Sequence, residues 1–409
     1  MEARTTFTRQ FTGIAAFLQA HQYLHEKELL RRYPDPLPDP YREWEQEMRD
    51  WSVADIARFE TELQHDNIRH PAFLTFVKTI KSLAKIPISK ITPVPLPPNI
   101  RRGMTPKKIH EIERLTAING IEKNIIDIGG GKGFLSAAIL QGGATHSTCI
   151  DMDITLQSQG KKRLQKWLPE LTNKIAFLHK KIDEQHPIPS PTSPQETTLF
   201  GLHSCGNLSS QVIRQGIDHG VKQIINFGCC YHHLKGDYNL SGIAKEKGLQ
   251  LSQEALHLAA HSHRILDTGA LQKRQMVKRF RYALHCFLYD RYGIPFQKIG
   301  DGKAVDYQDN FPAYAKKFAL ELSTIPDAEL DAFFQQKTLQ DNIGLLMRGD
   351  SLRNILGRLI ELYIVLDRCL FLKENGYRVT LTAYFDRQLS PRNLGIVAKK
   401  DPHSSKNIC

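Results

Sequence analysis

Asp127-Ile-Gly-Gly-Gly-Lys-Gly133-Phe134 is the segment of this 409-residue chain with the most chemistry in it. Glycines at 129, 131 and 133 permit positive φ and let the backbone approach a ligand closely. A β-branched run, Asn124 to Ile128, leads in, and an apolar helical stretch from about Phe134 to Leu140 leads out. The loop therefore lies at the carboxyl end of a strand, where open α/β sheets bind ligands. The dinucleotide register G-x-G-x-x-G fails, because its last glycine would fall on Phe134 or Ser136. No Gly-Lys-Ser/Thr ends the loop, which excludes a P-loop. About 20 residues on, at the end of the next β-branched run, stands Asp151. A carboxylate there can accept two hydrogen bonds from the vicinal hydroxyls of a ribose. A tight turn with no ligand is the bland alternative, and the succession of strand, glycines, helix, strand and acid weighs against it.

Two polar strings follow later strands. Leu202-His-Ser-Cys-Gly-Asn-Leu208 holds His203, Ser204 and Cys205, and Phe227-Gly-Cys-Cys-Tyr-His-His-Leu234 holds Cys229, Cys230, Tyr231, His232 and His233. On neighbouring strands these side chains converge at the same end of the sheet. They can shape an acceptor pocket in which a neutral histidine removes a proton near pH 7. They can also bind Zn²⁺, whose usual ligands are Cys and His. Adjacent Cys-Cys and His-His pairs fit a tetrahedral site poorly, so no metal is expected. For Cys229 a small buried hydrophobe is the favoured reading. The catalytic candidates are His203, Cys205, Tyr231 and His232.

The elements that must position these residues are legible. Short β-branched runs at Asn124 to Ile128, Ser147 to Ile150, Lys174 to Leu178, Thr198 to Leu202 and Gln223 to Phe227 alternate with helical stretches, the rhythm of a mostly parallel sheet. Two further strands, Arg378 to Phe385 and Asn393 to Ala398, read as a closing hairpin. The expected organisation is an N-terminal helical region over 1–85, a Pro-rich linker over 86–100, a Rossmann-like α/β core over 101–234 and a large helical insertion over 235–376. The last two strands of the core fall in 377–400, and a tail in 401–409. Residues 186 to 197 are Pro/Ser/Thr-rich and read as a loop. A helix is expected to begin at Thr105 as N-cap with Pro106 in its first position, carrying Lys107, Lys108, His110 and Glu111.

The D-x-G-x-G-x-G form resembles the first motif of class I methyltransferases. Beyond it, the chain resembles the methyltransferase-like protein 25 family, whose domain is similar to acceptor-stem tRNA 2′-O-methyltransferases. The strings that carry the resemblance are Gly103-Met-Thr-Pro-Lys-Lys-Ile-His-Glu111, the glycine loop, His203-Ser-Cys-Gly206, Gly228-Cys-Cys-Tyr-His232, Leu366-Asp-Arg368, and Phe385-Asp386 leading into Ser390-Pro-Arg-Asn393. They span residue 100 or so to the end, and Gly-Cys-Cys-Tyr-His is the most diagnostic. The resemblance implies a class I Rossmann-like fold, binding of S-adenosylmethionine (SAM) and methyl transfer. The cofactor-contacting set is then Lys107, Asp127, Gly129, Gly131, Gly133, Phe134, Asp151, Asp183 and His203.

Composition narrows the setting. The chain is 41% hydrophobic and 24% charged, so it can bury a sizeable core. No apolar run is long enough to span a membrane and no signal peptide is read. Seven scattered cysteines fit a reducing, cytoplasmic compartment better than a disulfide framework. A net charge of +12 favours polyanionic partners, RNA first among them. Lys273-Arg-Gln-Met-Val-Lys-Arg-Phe-Arg281 is the densest basic run, and on a helix it sets Arg274, Lys278 and Arg281 on one face. That face is either a phosphate-contacting ridge or an ordinary solvated side. The expected function is SAM-dependent methylation of an RNA such as tRNA or rRNA. A protein or small-molecule methyltransferase and a non-catalytic SAM- or RNA-binding scaffold are the rivals.

Overall fold

In a computed structural model, which describes residues 2–402 other than 237, 263 and 309, seven strands form one sheet. They are β1 (Asn124–Ile128), β2 (His146–Asp151), β3 (Ile175–His179), β4 (Thr197–Cys205), β5 (Gln223–Cys229), β6 (Tyr377–Ala383) and β7 (Leu394–Lys400). Their order across the sheet is β3-β2-β1-β4-β5-β7-β6. The pairs β1–β2, β1–β4, β2–β3 and β4–β5 are parallel, whereas β7 is antiparallel to both β5 and β6. The chain reverses direction across the sheet at β1 and β4, the switch point at which such sheets open a ligand crevice. This is the class I Rossmann-like arrangement, and β6 and β7 form the expected closing hairpin.

Both faces are covered, and the alternation along each strand shows it. Ile126, Leu199, Ile224 and Ile396 face one core, while Ile125, Phe200, Ile225 and Val397 face the other. The second core is small and is closed by the helices Pro106–Leu115, Phe134–Gln141 and Ile154–Trp167. The first is large. It takes in the Leu208–Asp218 and Gly357–Glu374 helices together with the N-terminal helices and most of the 235–376 segment.

The Gly357–Glu374 helix is buried on nearly every side, its charged Glu361, Asp367 and Arg368 included. Glu2–Ala20 packs along it, with Phe11 stacked on Tyr363 at 4.8 Å between ring centroids. Its buried Asp367 accepts hydrogen bonds from the backbone N–H groups of Leu240 and Ser241 and from the Ser241 hydroxyl, fixing the chain where it leaves β5. The Pro-rich segment is extended and runs beside β6, where Ser89 N–H donates to the Ala383 carbonyl. Thr105 caps the Pro106–Leu115 helix by accepting from Lys108 N–H, with Pro106 at its first position.

The helix Thr268–Tyr292 corrects one expectation. Arg274, Lys278 and Arg281 do share a side, but they form no open basic ridge. Arg274 makes a two-pronged ion pair with Glu60, Lys278 pairs with Asp350, and Arg281 with Asp301 at 3.1 Å. Glu60 and Asp350 are almost fully buried, so two of the three cations are internal counter-charges that dock this helix on its neighbours. No helix among the described residues is long and apolar enough to cross a membrane.

Candidate functional site

A cleft of about 900 Å³ opens at the carboxyl ends of β1 to β4. Its floor is Ile128 and Gly129, one wall is Ile150, Asp151 and Met152, and the 180–185 segment after β3 forms another. Cys205, Asn207, Leu208, Gln211, His233 and Lys235 close the side toward β5.

The glycine loop is shaped by its conformation and its packing. Gly129, Gly131 and Gly133 all have positive φ, at 71°, 55° and 67°. A Cβ on Gly129 would stand 3.7 Å from Leu208, another residue of the cleft, so a larger side chain there would crowd the cleft floor. Gly130 is glycine for another reason. A Cβ there would lie 2.6 Å from the Cys149 sulfur and 2.7 Å from Asp127 Oδ2, so the loop lies flat on the strands beneath it.

Asp151 ties the loop to β2. Its Oδ2 accepts from Gly131 N–H at 2.9 Å and its Oδ1 from Asp153 N–H at 2.9 Å. Each carboxylate oxygen keeps a second lone pair, and the residue lines the cleft, so a ligand's vicinal hydroxyls can be accepted there.

Other expected contacts sit differently. Asp127 is buried beneath the loop, accepting from the Ser136 hydroxyl at 2.9 Å. Burial pushes its carboxyl up to about 6, against the Ser136 hydrogen bond that favours the charged form. It braces the loop rather than facing a ligand. Phe134 points back under the Arg163 guanidinium, 4.4 Å from its ring centroid, within the smaller core. Asp183 does line the cleft, but its carboxylate is engaged with Lys181, His186 and the Gln185 and His186 N–H groups of its own turn. Those partners hold it well below the usual carboxylate range. Lys107 is half-exposed outside the cleft and pairs with Glu111 at 3.7 Å.

His203 is the extra residue of a bulge where β4 pairs with β5, and it takes a left-handed φ of 56°. This turns its ring to Glu111, with Nε2 2.7 Å from Oε1. Glu111 is buried and also accepts from the Ser390 hydroxyl at 2.8 Å. Burial acts to raise the Glu111 pKa, yet the bonds from His203 and Ser390 and the nearby Lys107 hold it below its ordinary value. Glu111 thus ionises readily and fixes His203, a partnership that sequence spacing could not show.

After β5, Cys230 is left-handed with a φ of 49°. The chain therefore turns at once, with two consequences. Tyr231, expected in the acceptor site, goes into the large core, its hydroxyl donating to the Gly228 carbonyl at 3.3 Å. His232 stacks with His257 at 5.0 Å and lies beside His233 and His261, and of these His233 is the one that lines the cleft. The same turn overturns the argument from adjacency for the cysteines. The sulfurs of Cys205, Cys229 and Cys230 all lie within 4.8 Å of one another, and Cys205 and Cys229 are 3.3 Å apart. Cys205 is pushed down by the thiol that Cys229 donates to it, while Cys229 is pushed up by the same contact.

Residues 107–237, the stretch that builds this cleft, match the family described as "Methyltransferase domain". This stretch is similar to methyltransferase domains. The chain also resembles Probable methyltransferase-like protein 25, as the sequence strings indicated. It is 24% identical to the human protein over 228 residues, half of this chain and 37% of that one. It is 25% identical to the mouse protein over 227 residues, half of this chain and 38% of that one. The matched part therefore spans well under half the length of those relatives. Two solved methyltransferases also align along most of the chain. Coclaurine N-methyltransferase bound to N-methylheliamine and SAH aligns at 10% identity and a TM-score of 0.27, over 95% of this chain and 99% of that one. The plantazolicin methyltransferase BamL, in complex with a triazolic desmethylPZN analog and SAH, aligns at 14% identity and a TM-score of 0.25, over 88% and 98%. The methyltransferase domain places Gly129, Asp151, Asp183 and Cys205 on one cleft. It leaves His203, Lys107, Gly131, Gly133, Tyr231, His232, Asp127 and Phe134 outside the lining. Asn207, Leu208, Gln211 and Lys235 were not foreseen as lining. Their only signal was position, just past the carboxyl end of β4 or β5.

Proposed function

We propose that the chain transfers a methyl group from SAM to an RNA acceptor. The observation that carries the reading is the Gly129–Gly131 loop bonded to Asp151 on the floor of a cleft within a methyltransferase domain. SAM, when bound, supplies a sulfonium whose methyl is open to in-line attack. Asp151 accepts the ribose hydroxyls, Gly129 gives the ligand room, and Ile128, Ile150, Met152, Ile182 and Leu208 shed water from its apolar parts. With Glu111 ionised, His203 Nε2–H donates to it, which leaves Nδ1 able to take the acceptor's proton. Most of the acceleration comes from holding the acceptor in line with the methyl group.

RNA as the acceptor is supported by the net charge of +12 and by Lys180 and Lys235 at the cleft, not by the neutralised Thr268–Tyr292 face or by Lys181, which Asp183 neutralises. That neutralisation favours a protein or small-molecule acceptor as the second reading. Tritiated SAM offered with total RNA, total protein and a metabolite extract separates them. Label in RNA is expected. Label in protein or metabolites alone moves the second reading to first place.

A further inference from the structure

The two strand ends that carry His203 and His233 also gather three thiols, and this gathering is not used by the methyl-transfer reading. Cys205 is the last residue of β4 and Cys229 the last of β5, directly paired across the parallel ladder, so their side chains leave the sheet side by side. Cys230 would ordinarily point the other way, as successive residues of a strand do. Its left-handed backbone instead swings its sulfur back toward the other two. A non-glycine residue in that region carries a conformational cost of order 1 kcal/mol or more, which the surrounding structure must impose.

We propose that Cys205, Cys229 and Cys230 form a binding site for Zn²⁺ or a similarly thiophilic divalent cation, with the fourth ligand position opening on the cleft. The spacing fits. Tetrahedral zinc with Zn–S bonds of about 2.3 Å places its sulfurs roughly 3.8 Å apart. The three sulfurs here lie within 4.8 Å of one another, with one pair at 3.3 Å, so small side-chain rotations bring them onto an ion. On binding, the thiols give up their protons to solvent, and no change of oxidation state is involved.

The graded burial sets the access. Cys229 is buried, Cys230 is intermediate, and Cys205 is exposed and lines the cleft. Three protein ligands with the fourth position open is the pattern of reactive zinc sites, whereas structural sites are closed by a fourth residue. The inference stands apart from SAM binding, since no cleft residue assigned to the cofactor is among the three ligands.

The test uses the full chain, purified with its thiols reduced, stripped with a chelator and reloaded with Zn²⁺. Elemental analysis after gel filtration should find about one equivalent per chain. Replacing zinc by Co²⁺ should give the intense near-ultraviolet thiolate-to-cobalt absorption, weakened in Cys205→Ser and again in the Cys205→Ser/Cys230→Ser double variant. Both positions reach the surface, so the metal-free variants should melt with the metal-free wild type, which separates loss of metal from loss of fold. Reduced wild type that takes up no Zn²⁺ overturns the site, as does a double variant that keeps its full equivalent. Rapid formation of a Cys205–Cys229 disulfide that Zn²⁺ does not slow would also overturn it, and would make the pair a redox couple instead.

Discussion

A carboxylate with no route to water is costly to charge, and Asp127 under the glycine loop is such a group. Its ordinary pKa is about 3.9. Burial raises the folded-state value to about 6, so the folded chain binds this proton more tightly than the unfolded chain does. The sign follows: the penalty is present in full above pH 6 and disappears as pH falls toward 4. Asp127→Asn keeps an acceptor for Ser136 and should stabilise the fold by about 1–3 kcal/mol at pH 8, with no advantage at pH 4. Thermal melts across that range measure it, and a variant less stable than wild type at pH 8 would show that the charge is needed. Asp151 is the opposite kind of carboxylate, open to the cleft with lone pairs to spare. Asp151→Ala should weaken SAM binding about 10- to 100-fold, the value of one or two hydrogen bonds to a charged group, readable by calorimetry. The glycine loop and Asp151 were legible because both follow from local order along the chain. Tyr231 and His232 were misplaced because Cys230 is left-handed without being glycine, and nothing in the residue type announces that. His203 is turned toward Glu111 by the same unannounced device.

All seven strands and their hairpin could be read from β-branched runs, with edges moved by at most three residues, the most at the end of β4. The fate of the helices could not. A basic stripe on the Thr268–Tyr292 helix is the same string whether it meets water or buried acids, and the acids, Glu60 and Asp350, lie far away in sequence. Arg274→Ala leaves Glu60 almost fully buried with, among the described residues, Ser351 and Asn354 as neutral partners. It should cost about 3 kcal/mol in denaturant unfolding, since removing one partner of a buried pair strands the other. A stability-neutral Arg274→Ala that instead lowers RNA binding would restore the basic ridge. The joint core of the N-terminal helices and the Gly357–Glu374 helix escaped the sequence for a related reason. A helix rich in apolar residues is expected to be buried, but its sequence does not say against what.

Taken whole, the molecule is one sheet with a small core on one side and a much larger one on the other, and its cleft lies at the end where both cores stop. A cofactor held there bridges β1, β2 and the segment after β3, so it should stabilise the whole fold. SAM at about 100 times its Kd should add about 2.7 kcal/mol, seen as a rise in melting temperature. RNA binding, if it engages phosphates, should fall as salt rises, with each contact contributing about one unit of slope on logarithmic axes. The most direct test is calorimetric titration of SAM and S-adenosylhomocysteine into wild type and Gly129→Val. The wild type should bind one equivalent of each. The variant, strained by a β-branched side chain at a φ of 71° and crowded toward Leu208, should bind neither, and its circular dichroism and melting temperature show whether the rest of the fold is kept. A wild type that binds neither ligand, or a folded Gly129→Val that binds them as well as wild type does, would contradict the assignment of this cleft to SAM.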